Sequence, residues 1–143
     1  MSSHDAVLLT INDDIARITL NEPARLNALS LAIMDGLFDA LARLREDKTV
    51  RVLQITGAGK AFSAGADLAI MNAEQTHIGD LTRGEWTDLQ MRTRHNRLIT
   101  EIRELPFPTL TILNGPVAGG SVGIALAADI VIAARSTYVY LPF

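Results

Sequence analysis

The chain has 143 residues, 48% of them hydrophobic and 20% charged, with a formal net charge of −3 at pH 7. That balance describes a globular protein rather than a disordered one, and it excludes a strongly basic surface for nucleic acid. There is no cysteine, which removes disulfides, a thiol nucleophile and cysteine metal ligands. Residues 1–5 have no basic segment leading into an apolar core, and no run approaches ~18 apolar residues. The expectation is a cytoplasmic chain without a membrane segment.

In chain order, residues 7–11 and 15–20 read as two short strands, and Asn12-Asp13-Asp14 supplies turn chemistry between them. A loop follows through Asn21-Glu22-Pro23 and Arg25-Leu26-Asn27-Ala28-Leu29. Ser30 then has the chemistry of a helix N-cap, and Ile33, Leu37, Leu41 and Leu44 recur at helical spacing up to residues 45–47. Residues 50–55 form a strand, and Thr56-Gly57-Ala58-Gly59-Lys60 interrupts it. A short helix is expected from Asp67, with a polar surface loop over 72–84. A long helix is expected over 85–105, with Leu98, Ile102 and Leu105 on one face and Pro106 and Pro108 ending it. Residues 109–113 are a strand, 122–128 a helix and 129–134 a strand. Strands alternating with helices predict an α/β fold with parallel pairing. No linker or repeat divides residues 1–143, so they read as one domain. The sequence stops in the apolar run Thr137-Tyr138-Val139-Tyr140-Leu141-Pro142-Phe143, where domain ends are usually polar, so an incomplete domain is expected.

Familiar site motifs largely fail. Gly59-Lys60 is preceded at the required distance by Gln54, not glycine, and followed by Ala61, so it is no phosphate loop. Gly57 and Gly59 lack the third glycine of a dinucleotide fingerprint, since position 62 is Phe. Gly119-Gly120-Ser121-Val122-Gly123 does match the G-x-S-x-G elbow of serine hydrolases. The partner histidine there follows the serine, whereas His4, His77 and His95 all precede Ser121. The three histidines also lack metal-ligand spacing and read as surface or loop residues, and no metal site is expected. Trp86 reads as packing, and Glu74, Asp80, Glu85 and Asp88 as solvated loop charge.

Two corners remain, 55–67 and 113–123, each running from a strand through small residues toward a helix N-terminus. Helix N-termini present unpaired N–H groups and partial positive charge. Two such N–H groups aimed at one point form an oxyanion hole, and small residues let a carbonyl reach them. Phe62-Ser63-Ala64-Gly65-Ala66-Asp67-Leu68, with Asn114-Gly115-Pro116-Val117-Ala118-Gly119-Gly120 and Asp129, resembles the crotonase (enoyl-CoA hydratase/isomerase) superfamily. The 21–29 loop resembles that family's first CoA-contacting loop. The resemblance covers residues 5–143, about the first half of a usual family chain.

The resemblance implies a ββα superhelical core that binds an acyl-CoA thioester, with coenzyme A part of the substrate and no separate cofactor. It implies that Ala66 and Gly120 donate the two N–H bonds to the thioester oxygen. It places Arg25, Leu26, Ala64, Asp67 and Leu68 near the CoA moiety, with Arg25 or Lys60 meeting its phosphates. It implies a homo-trimer or hexamer. Family hydratases carry two catalytic glutamates, and the matching positions here are Gly123 and Phe143. The Leu141-Pro142-Phe143 ending resembles the isomerase branch, where a single carboxylate a few residues further on shuttles a proton between carbons. An isomerase-type reaction is therefore expected. The alternatives are a hydratase or other crotonase reaction with a carboxylate from the 72–88 loop, and a non-catalytic acyl-CoA-binding or assembly protein.

Overall fold

The computed structural model describes residues 5–67 and 81–142. In chain order the elements are β1 (Val7–Asn12), β2 (Ile15–Leu20), α1 (Leu31–Glu46), β3 (Val52–Gly57), α2 (Arg83–Gln90), a π turn (Met91–His95), α3 (Asn96–Arg103), β4 (Thr109–Leu113), β5 (Val117–Ala118), α4 (Ser121–Leu126), β6 (Ile130–Ala133) and β7 (Val139–Tyr140). A 3-10 turn over Pro23–Arg25 lies between β2 and α1.

β1 and β2 form the expected antiparallel hairpin, closed by Asp13 at φ 54°. Aspartate tolerates that left-handed conformation. Every later pairing in the main sheet is parallel, giving the order β1-β2-β3-β4-β6. Parallel neighbours need crossover connections, and α1 and α4 supply them between β2 and β3 and between β4 and β6. β5 and β7 form a second, two-stranded parallel sheet. β5 is too short to be legible as a periodic run, whereas β7 falls within the aromatic, strand-like run at 137–143.

The core lies between α1 and the sheet. Ser30 accepts a hydrogen bond from the Ile33 N–H (3.1 Å) and so starts α1 where expected. The helix buries Ile33, Met34, Leu37, Ala40, Leu41 and Leu44 against Ala16, Ile18, Leu20, Leu53 and Ile55. Each large side chain so buried contributes about 1.5–3 kcal/mol. α3 adds Leu98 and Ile102 to this core and packs against both α1 and α4.

Boundaries shift slightly from expectation at several elements, as at Ser121–Leu126 and Ile130–Ala133. The third strand runs over Val52–Gly57 rather than 50–55. The long helix starts at Arg83, because Thr82 and Glu85 form a reciprocal capping box. It is also interrupted by the π turn, where the Asn96 N–H reaches back to the Met91 carbonyl. The helix expected from Asp67, and most of the 72–84 loop, lie outside the described residues. Among the described residues, no helix is long and apolar enough to cross a membrane.

Candidate functional site

Three loops meet at one end of the sheet: residues 21–29 after β2, 58–67 after β3 and 114–120 after β4. Two asparagine side chains organise them. Asn27, at φ 53°, accepts from the Glu22 N–H and donates to the Ala58 and Ala61 carbonyls, each at 2.9 Å. Asn114 accepts from the Gly57 N–H (3.1 Å) and donates to the carbonyls of Gly59 (3.0 Å) and Ala61 (3.2 Å). The Ala61 carbonyl is therefore a shared acceptor for the first and third loops.

Backbone bonds complete the junction. The Leu29 N–H donates to the Gly65 carbonyl (2.7 Å) and the Ala64 N–H to that of Leu26 (2.9 Å). The Phe62 N–H donates to the Pro116 carbonyl (3.0 Å) and the Ala118 N–H to that of Ser63 (3.0 Å). The Ser63 hydroxyl donates to the Asn27 carbonyl (2.7 Å) and accepts from the Gly65 N–H (3.2 Å). The Gly119 N–H is held by the Tyr140 carbonyl of β7 (2.9 Å).

Gly65 (φ 88°) and Gly119 (φ 53°) face each other across this junction. A Cβ built on Gly65 would lie 2.6 Å from the Ala118 carbonyl oxygen and 3.4 Å from the Gly119 Cα. Position 65 therefore favours glycine for conformation and for close approach, and position 119 for its positive φ, since a Cβ there would make only ordinary contact with Gly65 Cα at 3.9 Å. Ala66 and Gly120 follow them directly. Among the described residues, neither the Ala66 nor the Gly120 N–H donates a hydrogen bond to another backbone group. Ala66 is exposed and Gly120 partly so. The arrangement leaves two donors, each one residue past a glycine of the same contact, open to an incoming acceptor.

The other candidate residues fall along the edge shared by the first two loops. Arg25 pairs with the carboxylate of Asp67; the arginine is half exposed and the aspartate buried. Leu26 is held at φ 51° with its side chain exposed, a conformation that bulky residues rarely adopt without support. Ala64 is exposed beside it. A groove of about 300 Å³ lined by Asn21, Glu22, Pro23, Ala24 and Arg25 runs along the first loop. Lys60 is exposed. Leu68 lies outside the described residues, as do His4, His77, Glu74 and Asp80.

Ser121 is fully buried, and its hydroxyl donates toward the carbonyls of Ala118 (2.6 Å) and Ser63 (3.2 Å). It ties α4 to the loops and is not a nucleophile. Asp129 accepts from the Thr109 N–H (2.8 Å) and hydroxyl (2.9 Å), and these bonds hold its carboxyl below the ordinary 3.8. Its role is to start β4. Glu85 and Asp88, read as solvated loop charge, are exposed but engaged: Glu85 in its capping box and Asp88 with Arg92.

One residue corrects the sequence reading. His95 is not a surface or loop residue; it ends the π turn, and the Cδ2–Nε2 edge of its ring faces Gly120. Burial pushes its pKa below the ordinary 6.5, with the Gln90 carbonyl opposing and the Arg94 charge adding to the shift. Four residues further on, Ile99 packs on Gly123, where a built Cβ would lie 2.8 Å from its Cδ1. No spacing rule could expose this face, because the π turn changes the helical register.

The sequence model of the enoyl-CoA hydratase/isomerase family matches residues 10–143. The chain is 40% identical over 125 residues to a protein of Mycobacterium tuberculosis named probable enoyl-CoA hydratase, covering 87% of this chain and 43% of that protein. It is 35% identical over 139 residues to the 1,2-epoxyphenylacetyl-CoA isomerase of Escherichia coli, covering 96% and 50%. Among solved structures, an enoyl-CoA hydratase/isomerase from Xanthobacter autotrophicus superposes with a TM-score of 0.83 at 30% identity, covering 96% of this chain and 49% of that one. The chain thus spans about half the length of the curated relatives it matches.

Proposed function

This chain belongs to the enoyl-CoA hydratase/isomerase family and has the crotonase fold, and on that premise we propose that its three-loop junction binds the thioester of an acyl-CoA. The observation that carries the reading is the pair of unengaged N–H groups at Ala66 and Gly120, each set by a glycine of the Gly65–Gly119 contact. In this reading the thioester oxygen accepts both bonds. When a proton leaves the acyl chain, charge moves onto that oxygen, and the two fixed donors hold the enolate. Such a donor is worth on the order of 10²–10³ in rate. Arg25, Leu26, Ala64, Asp67 and Leu68 border the CoA moiety, with the Arg25–Asp67 pair fixing the edge between the first two loops. No separate cofactor is required, since coenzyme A arrives with the substrate.

We favour an isomerase-type proton transfer between acyl carbons over hydration. Gly123 stands where the resemblance puts a hydratase glutamate, and Ile99 packs against it. Glu85 and Asp88 are already held by Thr82 and Arg92, which weakens them as substitute carboxylates. The relatives are about twice as long, and the reading assigns the proton-carrying carboxylate to a part beyond residue 143. The test is to give the purified protein a 3-enoyl-CoA and a trans-2-enoyl-CoA in deuterated water. The reading expects thioester binding with little turnover from residues 1–143, and isomerisation at the rate of a full-length family enzyme overturns the placement of the carboxylate beyond residue 143. Faster formation of 3-hydroxyacyl-CoA overturns the isomerase assignment, and absence of thioester binding overturns the whole.

A further inference from the structure

We propose that His95 sets acyl specificity at this site, its Nε2 edge meeting a hydroxyl carried on the acyl chain near the thioester. This inference rests on the acyl-CoA reading of the Ala66–Gly120 corner.

Three observations carry it. A Cβ built on Gly120 would lie 3.5 Å from His95 Cδ2 and 3.8 Å from Nε2, and among the described residues nothing else comes within 4 Å of it beyond its chain neighbours. A thioester oxygen held by the Gly120 N–H at about 2.9 Å brings the first acyl carbons to this same corner. Among the described residues, His95 is thus the side chain that meets this corner at Gly120. Second, the π turn over Met91–His95 creates this placement. One extra residue in a turn rotates the next stretch of helix by about 100°, and π turns are frequently found at functional sites. Ile99 likewise covers Gly123, so α4 meets an apolar side chain at Gly123 and a polar one at its N-cap, Gly120. Third, His95 Nδ1 is buried without a hydrogen-bond partner among the described residues. Nδ1 is thus turned into the protein, and the Cδ2–Nε2 edge is the one that faces Gly120.

The chemistry then selects the ligand. Burial favours the neutral imidazole, which has one donor and one acceptor nitrogen. A hydroxyl can either donate to Nε2 or accept from it, so it satisfies both tautomers. A hydrocarbon acyl chain satisfies neither and strips water from Nε2, which leaves a desolvated polar atom unpaired.

Calorimetry of the purified protein with 3-hydroxybutyryl-CoA, butyryl-CoA and free CoA tests this. The hydroxyacyl thioester is expected to bind about tenfold more tightly than butyryl-CoA. His95→Leu should bring the two within about twofold, and His95→Gln, which keeps a donor and an acceptor, should retain part of the preference. A preference that survives in His95→Leu overturns the proposal, as does a ratio near one in the unaltered protein. The second outcome decides even if His95→Leu fails to fold. Binding of free CoA with equal affinity for both thioesters overturns the role of His95 alone. Failure of all three ligands to bind overturns the acyl-CoA reading with it.

Discussion

Replacing Gly65 with alanine tests whether the junction of the second and third loops is built as described. At φ 88° a side chain is disfavoured, at roughly 1–2 kcal/mol for a left-handed backbone. The added Cβ would also lie 2.6 Å from the Ala118 oxygen and 3.1 Å from its carbonyl carbon. Those atoms are backbone, and Ala118 is held by its N–H bond to Ser63, so relief requires moving a bonded loop. Displacements of that kind cost about 1–3 kcal/mol. Together the terms give about 2–5 kcal/mol, a large part of the roughly 5–15 kcal/mol typical of a domain. With a urea slope of about 1–3 kcal/mol/M, the unfolding midpoint should fall by roughly 0.7–5 M. Gly84→Ala is the control. It lies in the first turn of α2 with nothing within 4 Å of a built Cβ, and should stabilise by about 0.5–1 kcal/mol. A Gly65→Ala loss below about 0.5 kcal/mol, or a midpoint no lower than that of the control, would refute the reasoning.

Asn27→Ala should destabilise by about 3 kcal/mol or more in denaturant titration, since it leaves the Glu22 N–H and Ala58 carbonyl unpaired and puts alanine at φ 53°. Gly120→Ala should cost under about 1 kcal/mol, because φ is −59° and the new Cβ makes only ordinary contact with His95. The same variant should weaken acyl-CoA binding about tenfold or more, because the methyl group fills the space the proposal gives to the acyl chain; unchanged binding by calorimetry would count against that placement. Asp129→Asn should flatten the acid limb of the Tm–pH profile. The folded carboxyl titrates below its ordinary 3.8, so its contribution is present above that pH and lost as pH falls through the folded value. The gap in Tm between the unaltered protein and Asp129→Asn should therefore be widest at neutral pH and close below about pH 3.8.

The hairpin, α1 and β4 are legible in the sequence because each carries a complete local signal. Ser30 with Ile33, Leu37, Leu41 and Leu44 states both where α1 begins and which face it buries. Gly65 and Gly119 are legible as points of constrained backbone because glycine at a corner after a strand marks a demand on φ. What lies across from those glycines is not legible. β5 and β7 are two residues each, and their pairing links positions 22 apart in sequence, Val117 with Val139 and Ala118 with Tyr140. The partners of Asn27 and Asn114 are carbonyls, to which any sequence contributes equally. His95 escapes a sequence reading for a related reason: its position depends on one extra residue in a turn, and nothing in Met91-Arg92-Thr93-Arg94-His95 announces it.

The junction also explains why its polar side chains are inward-facing. Three chain segments, regularly paired only at β5, come together at Phe62 and Ser63, and each brings carbonyls and N–H groups that must be satisfied. Asn27, Ser63, Asn114 and Ser121 bond almost entirely to backbone. The loops are thereby held in place, and in the proposed reading stability and acceptor binding draw on one network. Ser121→Ala separates them: it removes the donor to Ala118, the residue before Gly119, without touching either open N–H. If the network positions the donors, that variant should lose acyl-CoA affinity even at temperatures well below its Tm, where it is fully folded. An affinity unchanged in a fully folded Ser121→Ala protein would mean that the glycine contact alone positions Gly120.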